Sequence, residues 1–149
     1  STLIAVSSLF DGKISKISVN KNGYVSVIIS GTSYKSIVVS FDAKGNELFK
    51  TYISSNLAIS ADISNDNKYL SIAEIDYSGS IIKSMVKNIS IEKAKTDPTN
   101  SVVYTYDFNE NELLINIKYQ DKTIPQTYNR ARHITVRQDM PWDKIVPFQ

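Results

Sequence analysis

The sequence predicts an all-β fold built as an antiparallel meander, and three observations carry that expectation. Apolar and polar residues alternate over runs of strand length. The runs are separated by short connections of Asn, Asp, Gly and Ser, and no stretch keeps an apolar period of 3.6 over a helical length. Segments spaced about 45 residues apart also resemble one another, which marks an internal repeat.

In chain order, strands are predicted over 14–19, 24–30, 36–41, 47–53, 58–63, 69–75, 81–91, 102–108 and 113–119. The connections Asn20-Lys21-Asn22-Gly23, Asp42-Ala43-Lys44-Gly45-Asn46, Ser64-Asn65-Asp66-Asn67 and Asn109-Glu110-Asn111-Glu112 use residues that tolerate positive φ and hydrogen-bond their own backbone. Strand pairing should therefore be sequential and antiparallel. In 102–108, Val102, Tyr104, Tyr106 and Phe108 share one face. In 113–119 the alternation assigns Leu113, Ile115, Ile117 and Tyr119 to the core and Lys118 to solvent, so a charge at position 115 is expected to be strongly destabilising.

The repeat is clearest where Ile17-Ser18-Val19-Asn20-Lys21-Asn22-Gly23-Tyr24 parallels Ala61-Asp62-Ile63-Ser64-Asn65-Asp66-Asn67-Lys68-Tyr69. Lys35-Ser36-Ile37-Val38 then echoes Lys83-Ser84-Met85-Val86, and a weaker copy runs from Tyr106 to Ile115. With Phe41-Asp42-Ala43-Lys44-Gly45-Asn46-Glu47-Leu48, this pattern resembles WD-like and quinoprotein-like β-propellers over about residues 9–122. More narrowly it resembles an uncharacterised family of membrane-anchored, extracytoplasmic propeller proteins from AT-rich Gram-positive bacteria. The resemblance implies blades of three to four antiparallel strands and an extracytoplasmic, cell-envelope location. It brings no catalytic residue with it. Propellers close with about 4–8 blades, and the chain holds about two and a half such periods.

Two units are expected: a blade-like β-repeat domain over 1–124 and an extended C-terminal arm over 125–149. All three Arg, the only His, the only Trp and three of the four Pro fall in the arm. Its segment His133-Ile134-Thr135-Val136 has strand propensity without a hairpin partner, so it is expected to add to a sheet of its own or a neighbouring copy and make a homo-oligomer. A chain that starts at Ser1 reads as a processed or trimmed product.

Composition narrows the chemistry. Seventeen basic against fifteen acidic residues leave a net charge of +2, too even a balance for a strong phosphate-binding field, so nucleic acid is not an expected partner. Cysteine is absent, which removes disulfides, thiolate ligands and cysteine nucleophiles. No apolar run reaches the ~18 residues of a membrane span. There is no G-x-S-x-G elbow, no H-E-x-x-H, no P-loop and no G-x-G-x-x-G. No metal or cofactor is expected. The oxygen-rich stretch from Asp62 to Asp66 lacks the glycine and terminal Glu of a calcium loop and reads as turn chemistry. Asn88-Ile89-Ser90 fits the glycosylation pattern but falls within a strand.

The function expected is noncatalytic recognition or scaffolding, with a protein or cell-envelope component as partner. Candidate contacts are Tyr34, Tyr52 and Tyr77 near turns, and Arg130, Arg132, His133 and Arg137 in the arm. Two alternatives stand beside it. One is a hydrolase or lyase using loop carboxylates such as Asp62 and Asp76; the other is binding of an acidic partner or nucleic acid through the Arg-containing tail.

Overall fold

Strand after strand turns back on its predecessor to make two antiparallel sheets in the structure, a computed structural model that describes residues 12–31, 35–120 and 122–124. The first sheet has the order β1-β2-β3-β4, from β1 (Gly12–Val19), β2 (Val25–Gly31), β3 (Ser36–Phe41) and β4 (Glu47–Ile53). The second has the order β10-β9-β8-β7-β6-β5. Its strands are β5 (Leu57–Ile63), β6 (Tyr69–Asp76), β7 (Lys83–Ser90), β8 (Val102–Phe108), β9 (Leu114–Tyr119) and the two-residue β10 (Lys122–Thr123). One four-residue helix, α1 (Ile91–Ala94), and a 3₁₀ turn (Pro98–Asn100) join β7 to β8.

Four hairpins turn by one mechanism. In each, the first residue's backbone N–H donates to the carbonyl beyond the turn and its carbonyl accepts from the residue three on: Asn20 with Tyr24 and Gly23, Asp42 with Asn46 and Gly45, Ser64 with Tyr69 and Asn67, Asn109 with Leu113 and Glu112. The fourth turn residue always has positive φ, at 86° for Gly23, 88° for Gly45 and 62° for both Asn67 and Glu112. Oδ1 of Asn20, Asp42 and Asn109 each accepts two backbone N–H groups of its own turn. The local chemistry thus sets these turns without help from the core.

Equivalent turns of the first two repeats also clasp one another. Asn20 Nδ2 donates to Ser64 O at 3.0 Å and to Asn67 Oδ1 at 2.7 Å, and Asn22 Nδ2 donates to Asn65 O at 2.7 Å. Asn20 serves its own turn with its oxygen and the neighbouring sheet with its nitrogen. Asn20→Ala is therefore expected to cost about 1–3 kcal/mol, readable as a lower urea midpoint, whereas Lys21→Ala, exposed in the same turn, should leave the midpoint unchanged.

The sheets pack face to face. Ile28, Val38, Phe49 and Ile53 of the first meet Ala58, Ala61, Ile63, Leu70, Ile72 and Ile89 of the second in the main core. Small serines let the backbones approach: Ser26 Oγ donates to Ala61 O, and Ser36 Oγ accepts from Ala58 N at 3.0 Å. A second cluster, Val27, Ile29, Ile37, Val39 and Phe41, lies on the other face of the first sheet. A third, Val86, Tyr106, Leu114 and Ile117, lies on the other face of the second.

The sequential antiparallel pairing expected from the turns is what forms. Three other expectations need correction. The first repeat forms a four-stranded sheet as expected, but the second and third do not separate, because β8 pairs with β7 and β9 in one six-stranded sheet. The link at 54–56 carries the chain from β4 into the second sheet, whereas the Asn109–Glu112 turn folds β9 straight back onto β8. No closed barrel or propeller ring forms among the described residues. The predicted strand 81–91 shortens to Lys83–Ser90, and its Asn88 is buried, with Nδ2 3.5 Å from Ser71 Oγ, so it is closed to glycosylation.

The facing of 113–119 is the third correction. A β-bulge shifts the register, so that Asp107 pairs with Asn116 but Phe108 pairs with Leu114. The extra residue is Ile115, which is 42% exposed, and Leu113 is 60% exposed. Leu114 and Ile117 are the buried pair, at 4% and 0%. A strict period of two had placed Ile115 inward; one inserted residue exchanges the faces.

Candidate functional site

The structure lays the first two repeats over one another in register. The ladder pairs Val25 with Phe41, Val27 with Val39 and Ile29 with Ile37 in the first copy, and Leu70 with Ile89, Ile72 with Lys87 and Glu74 with Met85 in the second. Six positions therefore correspond. The first copy fills them all with apolar residues; the second keeps four apolar and puts Glu74 and Lys87 where the first has Ile29 and Val39.

Glu74 is fully buried. Its Oε1 accepts from Asn56 Nδ2 at 3.0 Å, and Lys87 Nζ lies 3.0 Å from Oε2. No hydrogen bond of good geometry reaches Oε2, so charge rather than alignment holds that oxygen. The Lys87 side chain is 32% exposed, so the pair runs from a sealed carboxylate to an ammonium open to solvent.

The open side is a cleft of about 730 Å³. The strand β4 and the link after it form one wall, with Phe49, Thr51 and Ser55, and Lys87, Thr99 and Val102 stand opposite. A second depression of about 400 Å³ shares Lys87, Thr99 and Val102 with the cleft and adds Lys93, Asn100, Thr105 and Gln120. Both exist because the first sheet covers only part of the second. Beyond β6 the covered face becomes polar: Lys87 pairs with Thr105, Thr105 with Lys118, and Asp107 with Asn116. Asn116 Nδ2 donates to Asp107 Oδ2 at 3.1 Å, and Lys118 Nζ lies 3.9 Å from the same oxygen.

Of the residues singled out from sequence, Tyr52 is 44% exposed and lines the cleft. Tyr77 is 47% exposed just past β6, with Lys35 Nζ 4.3 Å from its ring centroid, and does not line the cleft. The structure does not bring the two into one site. Tyr34, Arg130, Arg132, His133 and Arg137, with the whole C-terminal arm, lie outside the described residues. Sequence reasoning missed Glu74 and Lys87, although their departure from Ile29 and Val39 is visible once the repeat is aligned through to β7.

Asp42, Asp66 and Asp76 each bond their own turns. Asp62 pairs with Ser71, while Asp76 stands five residues further along β6, roughly 17 Å away at strand spacing. Asp66 Oδ1 accepts from Ser64 Oγ at 2.5 Å and Lys68 N at 3.0 Å. No group of three or more His, Cys, Asp or Glu suited to a metal occurs among the described residues.

The same hydrogen bonds hold three carboxyls below their usual range of 3.8: Asp42 chiefly through the Asn46 N–H, Asp66 through the Ser64 hydroxyl, and Asp76 through the Ser78 hydroxyl. A depressed folded-state pKa contributes stability that is complete above the unfolded value and lost as pH falls through the folded one. Stability should therefore be level from neutral pH down to about pH 5 and decline below about pH 4. Asp42→Asn should flatten part of that decline in urea melts between pH 5 and pH 2.5, by lowering the neutral-pH midpoint slightly while leaving the midpoint at pH 2.5 nearly unchanged.

Residues 7–135 match the model of a family of unknown function, DUF5711. The chain belongs to that family. The matched segment spans both sheets and the cleft between them. No curated protein and no solved structure matches the chain. No helix among the described residues is long and apolar enough to cross a membrane.

Proposed function

We propose that this chain is a noncatalytic recognition module whose ligand seats in the cleft between the sheets, over the Glu74–Lys87 pair. The carrying observation is the replacement of two core aliphatics, at positions equivalent to Ile29 and Val39, by a buried ion pair at a cleft floor. Well-packed aliphatics serve stability as well as or better than a buried ion pair, so a pair retained there has its reason in what it contacts. A cleft with a few convergent polar groups on a largely apolar frame is the usual form of a binding site.

The blade-like repeat and its resemblance to envelope propellers support a module presented outside the membrane in the ectodomain of an envelope protein. A protein or cell-envelope component is then the partner. Homo-oligomer formation through the C-terminal arm belongs to the same reading: sedimentation should give a multiple of the monomer mass for the intact chain and a monomer for a version ending at Lys122.

The site itself is tested with Glu74→Ile/Lys87→Val. Immobilised wild-type protein is screened against arrays of peptides and cell-wall glycans, and the double variant is screened in parallel. The reading requires captured ligands to be lost by a double variant that melts as wild type does. Undiminished capture by that variant sinks it.

A further inference from the structure

We infer that the ligand group seated on Lys87 is a compact oxyanion, a carboxylate or a phosphate, held where the cleft and the second depression meet. This rests on the recognition reading and adds the chemical class to it. Glu74 is sealed beneath the site, with one oxygen on Asn56 and the other on Lys87, and presents nothing to a ligand. What opens to solvent is the ammonium. An ammonium has three donors and no acceptor, so with one side toward Glu74 it offers only donation to whatever binds above it.

The surroundings repeat that polarity. Lys87, Lys93, Thr99, Asn100, Thr105 and Gln120 supply the polar lining of the second depression, every one able to donate and none a carboxylate. Of the nearby acids, Glu92 pairs with Lys95 at 3.4 Å, Asp107 contacts Lys118 and Asn116, Asp97 accepts from Asn100 Nδ2 at 2.9 Å, and Glu47 lines the cleft but not the second depression. Lys93 stands in the last turn of α1, and no ion pair is formed by it among the described residues. The carboxylate under Lys87 fixes the position of the ammonium, as an oriented donor for an anion requires. A neutral ligand would gain little from two lysines converging on one depression, whereas an oxyanion takes charge-assisted hydrogen bonds from both.

The experiment is a ¹H–¹⁵N titration of the intact chain with inorganic phosphate, with acetate and with glycerol. Saturable shifts at the amides of Lys87, Thr99, Asn100 and Thr105 are expected with phosphate, acetate or both, and none with glycerol. Response to phosphate alone or acetate alone assigns the anion's source. Glu74→Ile/Lys87→Val should weaken anion binding at least about tenfold. Lys93→Ala should weaken it about threefold, and added salt should weaken it further. Absence of saturable shifts with both anions, or equal dissociation constants for wild type and double variant, overturns the inference. If both anions fail while the double variant still loses array capture, the recognition reading stands and the anionic class falls.

Discussion

Lys87→Val alone should lower stability by about 3 kcal/mol, while the same substitution made together with Glu74→Ile should bring stability back to within about 1 kcal/mol of wild type. The single change leaves a fully buried carboxylate with the Asn56 amide as its remaining polar contact. Breaking a buried pair usually costs about 3–5 kcal/mol, and the lower end applies here because Lys87 is one-third exposed and water reaches its side of the pair. For a chain of 149 residues that is a fall in Tm on the order of 6–12 °C. The double change restores the residues that the first repeat carries in the same ladder positions, where Ile29 and Val39 are both fully buried. Thermal melts of wild type, both single variants and the double variant close the cycle. Additive losses in the double variant would show that the ladder correspondence does not carry over to packing, and the case for a pair kept for binding would lose its footing.

Ile117→Asp should cost more than about 4 kcal/mol and abolish cooperative unfolding, whereas Ile115→Asp should cost less than about 1 kcal/mol. Ile117 is wholly buried among Val86, Tyr106 and Leu114, an apolar cluster in which a carboxylate would lose its water. Ile115 is the bulge residue and 42% exposed, so an Asp at that position reaches water. This reverses the outcome expected from alternation alone. Far-UV and near-UV melts of the two variants decide it, and equal midpoints would mean that the bulge does not hold in solution. The neighbouring Tyr106 gives a second probe: burial pushes its phenol far above its ordinary value, so alkaline titration of the folded protein should leave it protonated until the chain unfolds.

Both results turn on how far the period-two rule reaches. Chain-local physics was enough to read the hairpins, because Asn20, Asp42 and Asn109 bond their own turns and the fourth residue of each takes positive φ. The same physics made the strands and the repeat legible: β3 and β4 fall on the residues expected, and Tyr24 and Tyr69 follow equivalent turns. What a sequence leaves open is any choice settled between distant segments. The link at 54–56 parts the two sheets while β8 stays with β7, and no local signal distinguishes those junctions. The bulge opposite Phe108 answers to whether Leu114 or Ile115 completes the cluster around Tyr106, a matter of fit across strands. The site belongs to this second kind. Glu74 and Lys87 lie 13 positions apart in sequence and Asn56 another 18 before Glu74, and only the ladder and the sheet packing turn three scattered polar residues into a charge held at the floor of a cleft.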